Sequence, residues 1–330
     1  MAARLDAPVL GVQETYTGPN RWQVSTGYRY QRSHRHFVGD VEQVQRAQQG
    51  SEVVNNIHLA ELGIRYNPND WWSFSLGIPY LMAERSSPIR AGGVVVDRNV
   101  VSARSVGDIT LTARRLLWEP KAHPDGNVSL GLGIKLPTGK DNVIDSQQRI
   151  VNGQRVTTIQ TVDQSIQPGD GGFGAIVDVQ AFERIAHSGA ALYFSGTYLI
   201  NPQNKNGVLT FRGDPNEAVM SIADQYLART GATYTAASWK GFGAGLGGRI
   251  EGVPVRDLIG RSDGFRRPGY AVSVEPSLSW SRGPHTFSLA VPVAVYRNRQ
   301  RSVADLLTPG QHGDAAFADY VILLGYWQKF

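Results

Sequence analysis

Large, mostly apolar side chains alternate with small or polar ones along much of this chain, with a period of two residues. Clear examples span residues 22–30, 72–80, 128–136 and 270–280. Successive side chains of a β-strand point to opposite faces, so each segment is predicted to be a strand with one apolar face and one small or polar face.

The apolar rows often begin or end in an aromatic residue, as in Trp72 and Tyr80 or Tyr270 and Trp280. Amphipathic rings at both ends of a roughly ten-residue apolar row are typical of a strand that crosses a bilayer. The opposite face carries Gly, Ser, Thr and isolated charges, and we expect it to lack the bulky apolar residues of a soluble sandwich core. Lipid is therefore the predicted partner of the apolar faces.

The predicted strands are separated by links that alternate between long and short. We predict strands near residues 20–32, 56–67, 70–83, 106–118, 127–139, 171–184, 190–201, 226–238, 241–254, 269–281, 285–298 and 317–330. The long links lie near 33–55, 84–105, 140–170, 202–225, 255–268 and 299–316.

This pattern predicts an all-β fold, a transmembrane antiparallel up-and-down β-barrel of about 12 strands, with short periplasmic turns and long extracellular loops. The sheet is expected to close because lipid cannot satisfy an open edge. We assign residues 20–330 to the barrel and residues 1–19 to an N-terminal periplasmic segment or a plug of the lumen. The long link at 140–170 contains Asn152-Gly153, a hairpin signal that predicts a ribbon beyond the membrane, and Asp214-Pro215 predicts a short helical turn.

The last residues resemble the terminal strand that the outer-membrane assembly machinery recognises. Phe330 ends the chain after the alternating row of Tyr326, Leu324 and Ile322, although Gln328 departs from the usual aromatic residue. Any amphipathic edge strand that ends in Phe is the alternative interpretation. We predict a bacterial outer-membrane location with lipid, lipopolysaccharide and the barrel-assembly machinery as partners, the last through Phe330, and leave the oligomeric state open.

The amino-acid composition excludes several other classes of protein. The chain has 13 Tyr and 7 Trp but only 18 % charged residues, which argues against disorder. It has no cysteine and no apolar run of about 20 residues, which excludes disulfides and transmembrane helices. The net charge of +5 is dispersed, so we predict no nucleic-acid partner. Residues 1–8 lack the apolar region of a signal peptide, and we expect a processed chain.

Three segments resemble motifs of one family of outer-membrane barrels, named after the meta-pathway of phenol degradation. They span residues 105–116, which include Gly107-Asp108, residues 131–140, which include Pro137-Thr138-Gly139, and residues 168–175, which begin with Pro168-Gly169-Asp170. The resemblance implies a barrel that passes small compounds, aromatic ones among them. Taken by themselves, the same residues are typical of strand ends and turns, where Gly and Pro set the backbone.

The alternation also predicts which charges face the lumen. The candidate lumen and selectivity residues are Arg29, Glu61, Arg65, Arg114, Lys135, Asp178, Arg249, Glu251 and Glu275. These charges either line an aqueous path for a small-molecule solute or pair across the lumen and brace a narrow barrel. We predict a channel or transporter for small molecules, aromatic or hydrophobic ones among them. The alternative is a closed or plugged barrel that acts as a structural or surface-interaction protein through its long loops.

No motif predicts an enzyme, a metal site or a cofactor. No Ser has a nucleophile motif with a positioned His. His34 and His36 share a spacing that suits a metal on a strand, but solvated loop histidines are the simpler interpretation. Arg115 and His58 are predicted to face outward, toward lipid. A charge at mid-bilayer costs about 2–4 kcal/mol, so a correct register should place these residues near the membrane interface.

Overall fold

The computed structural model describes residues 21–185 and 188–330, and most of its regular structure is antiparallel β-strand. The strands are β1 (Trp22–Val38), β2 (Val41–Glu42), β3 (Val54–Tyr66), β4 (Trp72–Ala91), β5 (Val94–Val106), β6 (Ile109–Leu116), β7 (Gly126–Leu136), β8 (Ile144–Val151), β9 (Gln154–Thr161), β10 (Gly174–Arg184), β11 (Ala190–Ile200), β12 (Lys205–Leu209), β13 (Val219–Ser221), β14 (Gln225–Tyr234), β15 (Phe242–Val253), β16 (Gly269–Arg282), β17 (His285–Ala290), β18 (Val293–Arg299) and β19 (Ala315–Lys329).

Helical structure in these ranges is limited to short elements. They are the α-helices α1 (Gln45–Gln48) and α2 (Val303–Leu307) and the 3₁₀ turns Gln164–Ile166, Pro215–Glu217 and Ala237–Trp239. Within the described part of the chain, no helix is long and apolar enough to span a membrane.

The main sheet closes into a barrel of twelve strand positions, as predicted. Its neighbours run β1, β3, β4, β6, β7, β10, β11, β14, β15 and β16, then the shared position of β17 and β18, then β19. The strand β5 continues the position of β6 alongside β4. β19 pairs with β1 over thirteen residue pairs, Thr26 lying opposite Tyr326, so no edge is left between the first and last strands.

Two of the predicted long links contain β-ribbons. The link near 84–105 is mostly strand, because β4 continues to Ala91 and pairs with β5 across a turn at Gly92 and Gly93. Both glycines have positive φ, the conformation that a tight hairpin requires. The β8–β9 ribbon turns at Asn152 and Gly153, also with positive φ, and agrees with the hairpin prediction. The predicted helical turn is present, with the Asp214 side chain accepting from the Asn216 backbone N–H.

The outward face carries aromatic and aliphatic side chains. Arg115 lies on this face, with its guanidinium carbon 5.4 Å from the ring centre of Trp71 and 5.9 Å from that of Trp72. This aromatic setting near the short-turn end suits a snorkelling arginine. His58 faces outward too, and its Nδ1 lies 2.6 Å from the hydroxyl of Tyr28. Both positions therefore agree with the predicted register.

The inner face differs from the prediction in its extracellular half, where it is not free of bulky apolar side chains. Ile57, Leu59, Leu81, Ala83, Val101 and Ala103 of β3, β4 and β5 form a buried cluster. Val162 and Ile166, from the link between β9 and β10, complete this cluster and are fully buried. The apolar residues face inward because this link folds into the barrel and supplies an apolar partner. The expectation for residues 1–19 lies outside the described residues.

Candidate functional site

All nine candidate lumen residues lie on the inner side of the wall, and most of them make polar contacts with one another. Arg29, Lys135, Asp178, Arg249 and Glu275 are each buried. Two of the nine, Glu61 and Arg65, lie on β3, with the Arg65 Nε 3.4 Å from the hydroxyl of Ser75. The role of the nine residues in selectivity stays a prediction. The contacts of the other seven define three clusters in the lumen.

The first cluster, the cross-lumen network, consists of Arg29, Arg229, Arg249, Glu251 and Glu275. Glu251 accepts from Arg29 Nη2 at 2.8 Å and from Arg249 Nε at 3.0 Å. Glu275 lies 2.9 Å from Arg229 and 3.5 Å from Arg249. Three guanidiniums share two carboxylates, so the network carries a net charge of +1.

Arg229 is a member that the sequence analysis missed. It lies on β14, opposite Arg249 of β15 and Ser195 of β11. The signal was available, because Tyr226 and Tyr234 bound an outward row of even-numbered residues and Arg229 is odd-numbered.

The second cluster is the pair of Arg114 and Asp178, which meets over the backbone of β7. Arg114 Nε lies 2.5 Å from Asp178 Oδ1, and the Thr197 hydroxyl donates to Asp178 Oδ2 at 3.0 Å. Gly131 separates the two charged residues in the sheet, and a Cβ there would lie 2.9 Å from Arg114 Cγ and 3.0 Å from Asp178 Cβ. The absence of a side chain at Gly131 therefore lets this ion pair bridge three strands.

The third cluster brings the three family-like motifs together. Gly139 packs so closely that a Cβ there would lie 2.8 Å from Gly169 Cα and 2.9 Å from Gly107 Cα. The Thr138 hydroxyl donates to the Gly107 carbonyl at 2.9 Å. Glycines that are 30 and 32 residues apart along the chain therefore meet backbone against backbone, at the junction between β5 and β6.

Acidic groups and Lys135 complete this glycine junction. Asp108 accepts hydrogen bonds from the backbone N–H of Gly139 at 3.0 Å and of Asp170 at 3.2 Å. The Lys135 ammonium contacts the Asp170 carboxylate and lies 3.8 Å from Asp108. The motifs thus have an architectural role here, and they also place a charged cluster on the inner face.

A chamber of about 430 Å³ occupies the extracellular half of the barrel. Its lining includes the apolar side chains of Leu59, Leu81, Ile176, Leu199 and Phe211. Its cationic lining residues are Arg46, Arg85, Lys135, Arg212, Arg266 and Arg267, and its acidic ones are Asp108, Asp170 and Asp314. A volume of this size suits a small organic molecule.

Asp163 holds the link between β9 and β10 in place beside this chamber. Its carboxylate is fully buried and accepts two hydrogen bonds from Arg267, both at 2.7 Å. Arg85 of β4 lies 3.4 Å from the same carboxylate. Burial opposes ionisation, but the charges of Arg267 and Arg85 hold the pKa of Asp163 well below its usual range. Asp163 therefore joins the link before β10, the wall and the link before β16.

The structure does not bring the two candidate metal-binding histidines together. His36 is buried and contacts Asp314 through Nδ1 at 2.6 Å, whereas His34 lies 3.8 Å from Asp319. Within residues 21–185 and 188–330, no group of three or more His, Asp or Glu is arranged to hold a metal ion.

Comparisons with known proteins place the fold among outer-membrane barrels. A scan of protein-family models finds no match, and a search of curated proteins finds none either. Among solved structures, an outer-membrane channel from Pseudomonas putida F1 matches with a TM-score of 0.60 at 10 % identity, over 98 % of this chain and all of that one. A mutant of the monoaromatic hydrocarbon channel TodX matches with a TM-score of 0.49 at 8 % identity, over 95 % of this chain and 91 % of that one. The first of these likenesses shows that the chain has the fold of an outer-membrane β-barrel.

Proposed function

We propose that this chain is an outer-membrane channel for small molecules, aromatic or hydrophobic ones among them, with a lumen of mixed charge. The chamber of about 430 Å³ inside the extracellular half carries this proposal, because a barrel that only serves as a scaffold has no need of an internal space of that size. Apolar and cationic side chains share its wall, which suits a solute with an apolar body.

The cross-lumen network is proposed as the selectivity region beneath the chamber. Its net positive charge would favour anions over cations among permeating ions. The Arg114–Asp178 pair and Lys135, with Glu61 and Arg65, would set the charge of the remaining wall.

Membership in the meta-pathway family of barrels is part of the same proposal. Its support is that three motifs separated in sequence meet in one glycine junction, as a shared architecture would require. Lipopolysaccharide at the outer rim and the assembly machinery at Phe330 are the proposed partners. Phe330 is 61 % exposed and its N–H bonds to the Trp22 carbonyl, so its ring is accessible at the seam of the barrel.

One observation favours the second candidate, a plugged barrel that acts through its loops. Val162 and Ile166 fill part of the extracellular half, and Asp163 fixes them to two arginines. The β8–β9 ribbon carries exposed apolar residues, among them Ile144 and Ile159, that a surface partner could cover.

Single-channel recording in a planar bilayer distinguishes the two candidates. The full chain is inserted under a KCl gradient, and current steps and reversal potential are recorded. Discrete steps with a reversal potential on the anion side are expected for the proposed channel. Folded protein that inserts and carries no current under these conditions would overturn it in favour of the plugged barrel.

A further inference from the structure

We propose that the chamber binds small aromatic carboxylates, with the carboxylate on Arg85 and Arg212 and the ring on the apolar wall. This inference rests on the proposed channel function, since it names the class of solute that the same chamber takes. Three observations carry it: the pairing of the cations, the state of Arg212, and the position of the apolar residues.

Most cations of the chamber already have a close carboxylate partner. Arg46 lies 2.6 Å from Asp314, and Lys135 contacts Asp170. Arg266 and Arg267 each make two hydrogen bonds to one acidic residue, Asp257 and Asp163 respectively. The lining cations that these pairs leave over are Arg85 and Arg212.

Arg85 has only a distant share of one carboxylate. Its guanidinium lies 3.4 Å from Asp163, whose two oxygens already accept from Arg267. Its other contacts are long, at 3.2 Å to Asn55 and 3.5 Å to Ser165. A guanidinium in this state retains donors for an incoming anion, since Arg has five N–H groups.

Arg212 is the least compensated cation of the chamber. Its nearest acidic oxygen among the described residues, on Glu217, is 4.0 Å away, and its buried Nε has no hydrogen-bond partner there. Burial raises the pKa of the Glu217 carboxyl. Burial and the neighbouring charge of Arg267 in turn lower the pKa of Arg212. A bound anion would offset the repulsion between Arg212 and Arg267 because it supplies negative charge beside the Arg212 guanidinium.

Apolar side chains line the same chamber as these two arginines. Leu81 and Arg85 are four residues apart on β4 and both line the chamber, so they share one face of the strand about 13 Å apart along its axis. Phe211 lines the chamber beside Arg212, whose guanidinium carbon is 5.5 Å from the Phe211 ring centre. The Arg212 guanidinium also lies 4.4 Å from the ring centre of Phe265, which holds it in place.

This combination selects one class of solute. A neutral aromatic would leave Arg85 and Arg212 uncompensated, whereas a small hydrophilic anion would leave the apolar wall exposed to water. A molecule with one carboxylate and one aromatic ring meets both requirements. The planar guanidinium of Arg also matches the two oxygens of a carboxylate.

The test measures binding by isothermal titration calorimetry on the folded full chain in detergent. The probes are benzoate, benzyl alcohol and acetate, which separate the contributions of charge and ring. Benzoate is expected to bind more tightly than either of the others. Arg212→Gln is expected to weaken benzoate about tenfold or more and to leave benzyl alcohol unchanged, because only the carboxylate contact is lost.

Arg261→Gln is the matched control, since Arg261 is an arginine of the outer loops with 80 % of its side chain exposed and does not line the chamber. It should leave benzoate binding unchanged, and Arg212→Lys should retain part of it. If Arg212→Gln does not fold, as judged by heat-dependent mobility on a gel, Arg85→Gln replaces it. Equal binding of benzoate and benzyl alcohol, or benzoate binding that neither arginine affects, would overturn the inference.

The outcome is separable from that of the proposed function. Current steps without preferred benzoate binding would reject the solute class and keep the channel. Arginine-dependent benzoate binding in a barrel that carries no current would keep the binding site and reject the open channel.

Discussion

The Arg29 guanidinium on β1 lies 2.8 Å from the Glu251 carboxylate on β15, across three intervening strand positions of the barrel. The two residues are 222 positions apart in the chain, and the pairing of β19 with β1 brings them to neighbouring parts of the lumen wall. Arg249 shares the same carboxylate, so Glu251 is the acid that balances two guanidiniums inside the lumen.

Removing this carboxylate should shift ion selectivity. Glu251→Gln leaves three arginines of the cross-lumen network with one acid, and the reversal potential under a KCl gradient is expected to move toward that of chloride. Arg29→Gln removes a positive charge and should move it toward that of potassium. Glu84→Gln and Arg104→Gln change charge by the same amounts on the exposed β4–β5 ribbon and should shift it far less. Equal shifts in the lumen and ribbon variants would contradict a selectivity role for the network.

Gly131 is expected to be intolerant of a methyl group. Gly131→Ala places a Cβ 2.9 Å from Arg114 Cγ and 3.0 Å from Asp178 Cβ, so the ion pair must move. Overpacking of this kind costs about 1–3 kcal/mol in free energy of unfolding. Urea unfolding in detergent micelles measures it, with Gly248→Ala as the control, because a Cβ at Gly248 meets nothing within 4 Å. Equal stability of the two variants would show that the pair has room to shift.

The assignment of the outward face to lipid makes its own prediction. Leu132 of β7 is 70 % exposed on that face, and Leu132→Arg would place a charge in the hydrocarbon, at a cost of about 2–4 kcal/mol near mid-bilayer. Leu258, in the link between β15 and β16, is 68 % exposed, and Leu258→Arg should cost much less because it lies in a loop. Unfolding in lipid vesicles is the measurement, and equal costs at both sites would refute the lipid assignment.

Loss of the Asp163 carboxylate should release the link before β10. Asp163→Asn leaves Arg267 and Arg85 buried without their shared counter-charge, and breaking a buried pair costs about 3–5 kcal/mol. We expect larger conductance steps and faster protease cleavage between β9 and β10, with the barrel itself still folded. Asp97→Asn breaks an exposed pair with Arg155 on the ribbons and should change neither. Unchanged conductance in Asp163→Asn would mean that this link does not restrict the lumen.

The barrel could be predicted from the sequence because lipid imposes a simple rule on every strand. Outward rows such as Trp72 to Tyr80 must be apolar, and a shift of one residue would turn charges such as Arg114 toward lipid. Alternation therefore carries both the strand positions and the inward placement of the lumen charges. The aromatic rings around Arg115 follow from the same rule.

The contacts within the lumen and the loops could not be predicted in this way. Which acid meets Arg29 depends on barrel closure and strand stagger, which alternation does not encode. The link around Ile166 has the composition of a polar loop. It is buried because Ile166 packs against an apolar patch on β3, β4 and β5. Alternation identifies the residues of such a patch but does not indicate which segment covers them. Arg212 and Asp163 belong to such links, so the chamber emerged only from the tertiary structure.

The last prediction concerns acid and the outer loops. Burial alone would raise the pKa of Asp314, but the hydrogen bond and charge of His36, together with Arg46 and Arg267, lower it to about 2 from an ordinary value of 3.8. A lowered folded-state pKa stabilises the fold above the unfolded value, so this contribution of about 2 kcal/mol is fully present above pH ~4 and is lost as the pH falls toward 2. Asp314→Asn should therefore lower the free energy of unfolding at pH 7 and remove part of the acid sensitivity between pH 4 and 2, measured by thermal unfolding in detergent. Asp125→Asn, at an exposed carboxylate in the short turn after β6, should keep the wild-type profile. If wild type and Asp314→Asn lose stability in parallel over that interval, the acid sensitivity arises elsewhere in the barrel.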